Sequence, residues 1–265
     1  MTNQTLDGYA TTFANSIDNL VARVAHQDMT RAVPTCPGWS LEDLIEHVGH
    51  LNRWAAQIII QPDPALVAWD AVPDSAPSDY SAATLSDWLP GSQQAVVDAV
   101  QQVGPDTEVM TFIGIRPARW WMRRLLNDSL MHQADAAISL GSHFHLTPSL
   151  AADNIAEALE LFVARAGATY PTFEGPLLFP TPLDEGKSLR LELTDLGLEG
   201  RAWSLVRNGD GVAFSGDHDF GATIVRGPAL DLMLMIGRRV PVSQSHVEIT
   251  GDPAVLDAWL DRTPY

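Results

Sequence analysis

The chain has 265 residues, of which 46% are hydrophobic, so it can form one large domain or two modest ones with sizeable cores. It carries 33 acidic and 16 basic residues, a net charge of −17. Because nucleic acids and anionic membranes bind clustered cations, this charge argues against both as partners. Cys36 is the only cysteine, which excludes an internal disulfide and any multi-cysteine metal site.

The sequence has neither the pattern of a signal peptide nor that of a membrane-spanning segment. Residues 1–10 lack a basic region followed by an apolar run, so we expect no signal peptide. No apolar stretch reaches the roughly 18 residues that a membrane-spanning helix needs. The sequence therefore predicts a cytoplasmic protein.

Helical periodicity dominates the first 168 residues. Ser40 is a predicted N-cap with Asp43 as its capping-box partner. Pro90 and Gly91 should kink or split the third predicted helix. Apolar residues recurring at spacings of three and four predict helices over residues 6–27, 40–59, 81–103, 117–141 and 149–166. Four or five helices of this length indicate a bundle over residues 1–168.

The pattern changes after this point. Residues 169–186 are rich in proline and glycine and form the predicted linker. Alternation over 189–193 predicts a strand, and further strands are expected over 202–206, 222–225 and 247–249. Short helices are expected over 229–236 and from Pro253. The predicted fold class is therefore α+β, an N-terminal helical bundle followed by a smaller α/β domain over residues 187–265.

The fourth predicted helix carries the first group with chemical potential. Asp128, His132 and Asp135 are spaced i, i+4 and i+7, which places their side chains within roughly 60° of arc. Trp121 and Leu125 lie in or beside the same sector. Ionisable groups on a buried stripe need partners, and a metal ion can satisfy all three. The alternative is a hydrogen-bonded pair of Asp128 and His132 in a solvated groove.

A second histidine strengthens the metal hypothesis. His47 lies near the edge of the apolar stripe of the second predicted helix. Helical bundles build metal sites from inward residues on facing helices. Two histidines and one carboxylate, here His47, His132 and Asp128, leave an open coordination position, as in catalytic zinc sites. The same set also suits non-haem iron, and the sequence does not separate the two metals.

Three segments carry a resemblance to a known family. Residues 36–47 read Cys-Pro-Gly-Trp-Ser-Leu-Glu-Asp-Leu-Ile-Glu-His, and residues 128–135 read Asp-Ser-Leu-Met-His-Gln-Ala-Asp. A third, looser group comprises Val-Arg-Gly-Pro-Ala at 225–229, Gly-Arg-Arg at 237–239 and Gly-Asp-Pro at 251–253. Together they resemble the mycothiol-dependent maleylpyruvate isomerase family, which has a DinB-like metal-binding four-helix bundle and a C-terminal α/β domain.

The resemblance implies roles for matching positions. His47 and His132 would be zinc ligands, and Asp128 stands where the family usually has glutamate. Asp135 would orient a ligand histidine from outside the coordination sphere. Arg238 matches the arginine that the C-terminal domain contributes to the isomerase active site, with Arg239 as the neighbouring alternative.

The resemblance also implies a reaction. A small thiol, mycothiol or one like it, would be held as a thiolate by the zinc ion. The thiolate would add to the double bond of maleylpyruvate, and rotation and elimination would give fumarylpyruvate. The sequence thus predicts a thiol-dependent isomerase or S-transferase acting on a small electrophilic or anionic molecule. The alternative is a non-catalytic small-molecule-binding or regulatory protein with a vestigial metal site.

Overall fold

A computed structural model describes residues 6–63, 65–172, 175–209, 211–215 and 223–263. The chain divides into two compact units, residues 1–144 and 145–265. Among the described residues, no helix is both long enough and apolar enough to cross a membrane.

The first unit is a four-helix bundle. Its helices are α1 (Leu6–Val24), α2 (Leu41–Ile60), α3 (Ala82–Val103) and α4 (Arg119–Leu140). Helix α1 packs against α3 and α4, and α2 packs against the same two helices. A short hairpin of β1 (Glu108–Thr111) and β2 (Gly114–Pro117) precedes α4. The predicted helical bundle is confirmed, and it has four helices.

Helix α2 begins as the sequence predicts. The Ser40 side chain accepts a hydrogen bond from the backbone of Asp43, whose side chain accepts one from the backbone of Ser40, a complete capping box. Further along, a Cβ atom at Gly49 would lie 2.2 Å from ring atoms of Trp88. The close approach of α2 to α3 therefore requires glycine at this position.

Two details of the bundle differ from the prediction. Helix α3 continues as one helix through Pro90, so the split that was one of the two expected outcomes does not occur. Beside the proline, Arg53 Nη2 donates to the Trp88 carbonyl at 2.9 Å and Ser92 Oγ donates to the Leu89 carbonyl at 2.6 Å. Helix α4 begins at Arg119, because Pro117 ends strand β2 and cannot be its first residue.

The second unit combines helices with a mixed sheet. Its helices are α5 (Pro148–Arg165), α6 (Ala229–Ile236) and α7 (Pro253–Arg262). Its strands are β3 (Thr169–Thr172), β4 (Gly175–Leu178), β5 (Ser188–Leu193), β6 (Ala202–Asn208), β7 (Gly211–Ser215), β8 (Thr223–Gly227) and β9 (Glu248–Thr250). The five-stranded sheet has the order β7-β6-β5-β8-β9, in which only the β5–β8 pair is parallel.

The boundary between the units lies earlier than the sequence predicts. Helix α5 was expected to complete the bundle, but it packs against α6 inside the second unit. Residues 169–186, expected to be a linker, contain the β3–β4 hairpin. Helical periodicity identifies a helix but does not say which unit it packs in, and the prolines and glycines of residues 169–186 indicated a linker rather than strands.

Candidate metal site

Helices α2 and α4 bring three potential ligands together. The donor atoms of His47, Asp128 and His132 all lie within 4.8 Å of one another. Asp128 Oδ2 is 3.9 Å from His47 Nε2 and 3.5 Å from His132 Nε2. The two imidazole rings meet edge to face, with centroids 5.0 Å apart. The convergence that the sequence predicts for these residues is present in the structure.

The donor set and its spacing suit a divalent metal ion. Zinc bound to nitrogen and oxygen at about 2.1 Å in a tetrahedron holds its ligand atoms about 3.4 Å apart. The two distances from Asp128 Oδ2, 3.5 and 3.9 Å, are close to this value. The nitrogens of His47 and His132 lie within 4.8 Å of each other, so the two imidazoles would move closer together to share one ion with Asp128. These residues leave at least one coordination position for another ligand, as catalytic zinc sites do.

Arg124 holds the other oxygen of the carboxylate. Its Nη2 donates to Asp128 Oδ1 at 2.6 Å, and both side chains are about nine-tenths buried. The pair lies one helical turn apart on α4, the i, i+4 spacing that favours such contacts. Because Oδ1 is engaged by the guanidinium, Oδ2 faces the two histidines.

Asp135 acts on the opposite side of the His132 ring. Its Oδ2 lies 2.9 Å from His132 Nδ1, and the Asp135 side chain is fully buried. A carboxylate at this position accepts a hydrogen bond from Nδ1–H, so in the neutral imidazole the Nε2 lone pair faces His47 and Asp128. The arrangement is the one expected for Asp135 from the sequence resemblance, although its role in metal binding stays a prediction.

A tight turn before α2 is fastened to the same aspartate. Trp39 N donates to the Cys36 carbonyl at 3.0 Å, and the intervening Pro37 and Gly38, the latter with φ 87°, fit a type II turn. Thr35 Oγ1 donates to Asp135 Oδ1 at 2.6 Å, and Cys36 Sγ donates to Asp135 Oδ2 at 3.5 Å. The turn therefore docks on α4 directly behind His132.

Aromatic rings surround the histidine pair. Trp39 stacks on His132 with centroids 5.9 Å apart and tilts against His47 at 4.9 Å. Trp69 lies 6.4 Å from His47 and stacks on His50 at 3.8 Å. Both tryptophans are half-buried, so they cover the cluster while keeping part of their surface exposed.

The pKa values of the cluster reflect its burial and the charges of its own members. Burial raises the pKa of Asp128, but the charges of His132 and Arg124 outweigh it and hold the pKa below its usual value. Burial lowers the pKa of His132, yet the Asp128 charge and the hydrogen bond to Asp135 raise it to about 9. Burial, followed by the charge of His132, lowers the pKa of His47 to about 4. A metal ion entering the cluster would therefore replace a proton on His132.

Arg238, predicted as a catalytic residue, lies in the second unit just after α6. It is exposed and adopts a left-handed conformation with φ 60°. Partial burial of its guanidinium lowers the pKa of Arg238 below its usual value, and the charge of Asp261 opposes this shift. Arg239 is half-buried, and its Nη1 donates to the Gly237 carbonyl at 2.7 Å. The catalytic role of Arg238 stays a prediction.

Sequence reasoning missed several neighbours of the cluster. Trp69 belongs to a three-residue 3-10 helix, Trp69–Ala71, which has no periodicity to reveal it. The pairing of Arg124 with Asp128 was not predicted. Its i, i+4 spacing to Asp128 is the signal that could have identified the ion pair. The contacts of Thr35 and Cys36 with Asp135 join residues about 100 positions apart and left no local signal.

Comparisons with known proteins give the class and then the family. Two crystal structures share the fold, one of a mycothiol-dependent maleylpyruvate isomerase and one of its mutant with alanine replacing a histidine. They are 15% and 14% identical to this chain, with TM-scores of 0.57 and 0.59, over 94% of this chain and 95% of theirs. Among curated proteins, none matches the sequence significantly.

The sequence itself matches two family models. Residues 11–137 match the mycothiol maleylpyruvate isomerase N-terminal domain, and residues 149–258 match the MDMPI C-terminal domain. The chain therefore belongs to the mycothiol-dependent maleylpyruvate isomerase family, as its signature segments indicate.

Proposed function

We propose that this protein is a metal-dependent enzyme that uses a small thiol, an isomerase or S-transferase of its family. The observation that carries the proposal is the meeting of His47, Asp128 and His132, whose donor atoms lie within 4.8 Å of one another. In the related solved structures, the named activity is mycothiol-dependent maleylpyruvate isomerisation. Mycothiol or a similar thiol is the proposed cosubstrate, and zinc is the proposed metal.

The residues around the cluster have separable tasks in this proposal. His47, Asp128 and His132 would hold the ion. Zinc with an open position would supply a Lewis acid that stabilises a thiolate at neutral pH. Arg124 would keep Asp128 turned so that one oxygen faces the ion, and Asp135 would fix the ring of His132.

The aromatic cover adds a second contribution. Trp39 and Trp69 are half-buried beside His47, so their rings would shield the reacting groups from water. A drier site strengthens every electrostatic interaction within it. A small anionic electrophile such as maleylpyruvate would then react with the thiolate in surroundings from which water is largely excluded.

Arg238 is the proposed contact for the anionic group of the substrate. An exposed guanidinium offers a planar fork that matches a carboxylate. If it contacts substrate and not metal, Arg238→Ala should raise KM for an anionic substrate and leave the zinc content unchanged. Arg226→Ala, which removes another exposed arginine of the second unit, is the control.

The expected cytoplasmic location also stays a prediction.

The proposal is tested first by metal content and then by activity. Protein purified without chelators should contain about one zinc ion per chain, counted by elemental analysis. The zinc-loaded protein is then assayed with maleylpyruvate and a panel of thiols that includes mycothiol. Thiol-dependent conversion that disappears in His47→Ala supports the enzyme. Full zinc content without turnover for any thiol and electrophile would remove the catalytic part of the proposal.

A second candidate is a non-catalytic small-molecule-binding protein with a vestigial metal site. The observation that favours it is the ion pair of Arg124 with Asp128, which satisfies the carboxylate without any metal. Asp128 also replaces the longer glutamate that the family usually has. Protein that contains no metal, and whose melting temperature does not change when zinc is added, would establish this reading over the first.

A further inference from the structure

A second group of potential ligands lies on the far side of the His132 ring. The donor atoms of Cys36, His132 and Asp135 also lie within 4.8 Å of one another. Asp135 Oδ2 is 2.9 Å from His132 Nδ1 and 3.5 Å from Cys36 Sγ. His132 and Asp135 are buried, and Cys36 is half-buried. Cys36 and Asp135 lie on the Nδ1 side of the His132 ring, whereas His47 and Asp128 face Nε2.

We propose that Cys36 Sγ, His132 Nδ1 and Asp135 Oδ2 form a second cation site, selective for thiophilic ions such as Cd²⁺. A thiolate and an imidazole are donors that soft and borderline cations prefer, and a single carboxylate oxygen is too few for a hard cation. A tetrahedral ion of the size of zinc, with sulfur at about 2.3 Å and nitrogen or oxygen at about 2.0 Å, separates sulfur from oxygen by about 3.5 Å and nitrogen from oxygen by about 3.3 Å. Asp135 Oδ2 lies 3.5 Å from Cys36 Sγ and 2.9 Å from His132 Nδ1, so binding would move the imidazole and the carboxylate apart, and the larger Cd²⁺ would move them further than zinc would.

The surroundings hold these donors in place. Thr35 Oγ1 donates to Asp135 Oδ1 at 2.6 Å, so the second carboxylate oxygen stays directed at Cys36 and His132. The type II turn at Pro37 and Gly38 fixes the direction of the cysteine. The ion would replace the thiol proton of Cys36 and the Nδ1 proton of His132, and both protons would go to solvent.

The two sites compete for one residue. A neutral imidazole offers one lone pair, so His132 binds an ion through Nδ1 or through Nε2 but not both. An ion bound to Cys36 would leave the Nε2 proton facing Asp128 Oδ2, 3.5 Å away. A thiophilic ion would thereby remove His132 from the proposed zinc site. The inhibitory effect of this second site rests on the proposed function, whereas the existence of the site does not.

Cadmium reports thiolate coordination directly. Metal-free protein is titrated with CdCl₂ while the ultraviolet thiolate-to-cadmium charge-transfer band is recorded. Because Cys36 is the only cysteine, the band can come from no other residue. Cys36→Ser, which lacks the thiol, gives the absorbance without the charge-transfer band. Asp135→Asn, which keeps the shape of the side chain, should weaken cadmium binding measured by this band by about 10-fold or more.

The matched controls separate the two sites. His47→Ala removes a residue of the zinc site alone and should leave the cadmium band and its affinity within about 2-fold of the unaltered protein. Thr35→Val keeps all three donors and should retain the band. Cadmium NMR of the unaltered protein supplies a reading that needs no variant, since the chemical shift distinguishes one sulfur ligand from none.

Three results would overturn the proposal. One is cadmium binding without a charge-transfer band or a sulfur-shifted resonance. Another is equal affinity in Asp135→Asn and the unaltered protein, which would indicate a solvent-exposed thiol alone. The third is loss of the band in His47→Ala. Zinc binding by Cys36→Ser tests the first site separately, so failure of one proposal does not imply failure of the other.

Discussion

The two sides of the His132 ring are built differently. On the Nε2 side, facing helices α2 and α4 supply His47 and Asp128, and the donor atoms point toward a common centre. On the Nδ1 side, a turn that precedes α2 is fastened to α4 through Asp135. Rigid helices thus provide the proposed zinc ligands, while a loop contact sets the direction of the ring. Different residues therefore determine the ligand geometry and the orientation of the ring, and substitutions can test the two separately.

The largest effect should come from the residue that both sides share. His132→Ala would leave His47 and Asp128, one protein ligand fewer than a catalytic zinc site has. Zinc affinity should fall by about 1,000-fold or more, measured by calorimetric titration of metal-free protein. His50→Ala is the control, because His50 Nε2 bonds to the Trp69 carbonyl and lies outside the cluster. Retained affinity in His132→Ala would end the comparison, since neither side would then define a site.

The buried ion pair on the Nε2 side should show the next largest effect. Arg124→Met leaves the Asp128 carboxylate buried without its cation, which should lower the free energy of unfolding of the metal-free protein by about 3 kcal/mol. Zinc should restore much of this loss, because the ion compensates the same carboxylate. Chemical denaturation with and without zinc measures both quantities.

The control for this substitution lies at the start of the same helix. Arg119→Met breaks an ion pair with Asp106 whose side chains are both more than half exposed, so its effect should be much smaller. An equal rescue by zinc in both variants would show that the metal does not bind at Asp128.

Asp128 tests whether the shorter carboxylate is a ligand. Asp128→Ala should lower zinc affinity by about 100-fold, because two histidines alone make a poor site. Asp128→Glu should keep or raise the affinity, since it restores the side chain that the family usually has. Calorimetric titration of the pair is decisive. An unchanged affinity in Asp128→Ala would remove the residue from the site.

The Nδ1 side should give the smallest of these effects on zinc. Asp135→Asn replaces the charged oxygen that accepts a hydrogen bond from Nδ1–H with a neutral amide, so the tautomer of the His132 ring is no longer fixed. Zinc affinity should fall by roughly 10- to 100-fold while the site still binds. Ser139→Ala, which removes another bond between α4 and the loop, from Ser139 Oγ to the Ala32 carbonyl, is the control. A loss as large as that of His132→Ala would mean that Asp135 is itself a ligand.

Much of the fold could be predicted because its local signals agree. The capping box of Ser40 and the left-handed Gly141, with φ 63°, mark the start of α2 and the end of α4. Strand β5 follows the predicted alternation, with every second residue buried. The β1–β2 hairpin has strands of only four residues, which are too short for a periodic pattern to predict it. The placement of α5 depends on packing against α6, which a local pattern does not contain.

The site was predictable to the extent that helical spacing determines it. The i, i+4, i+7 spacing placed Asp128, His132 and Asp135 on one face, and the bundle brought His47 opposite. Which oxygen of Asp128 faces the histidines depends on Arg124, and which nitrogen of His132 is protonated depends on Asp135. These are choices of side-chain orientation, and they follow from packing rather than from residue order.

The contact of Arg124 with Asp128 Oδ1 has a consequence for competition among cellular cations. Calcium takes six to eight oxygen ligands, often with a bidentate carboxylate, and magnesium prefers an octahedron of oxygens. This cluster offers two imidazole nitrogens and one available carboxylate oxygen. The most abundant divalent ions of the cell therefore find too few oxygens here. In the proposed metal site, a scarce borderline ion would therefore be favoured in their presence, and the guanidinium would act as a filter against the common cations.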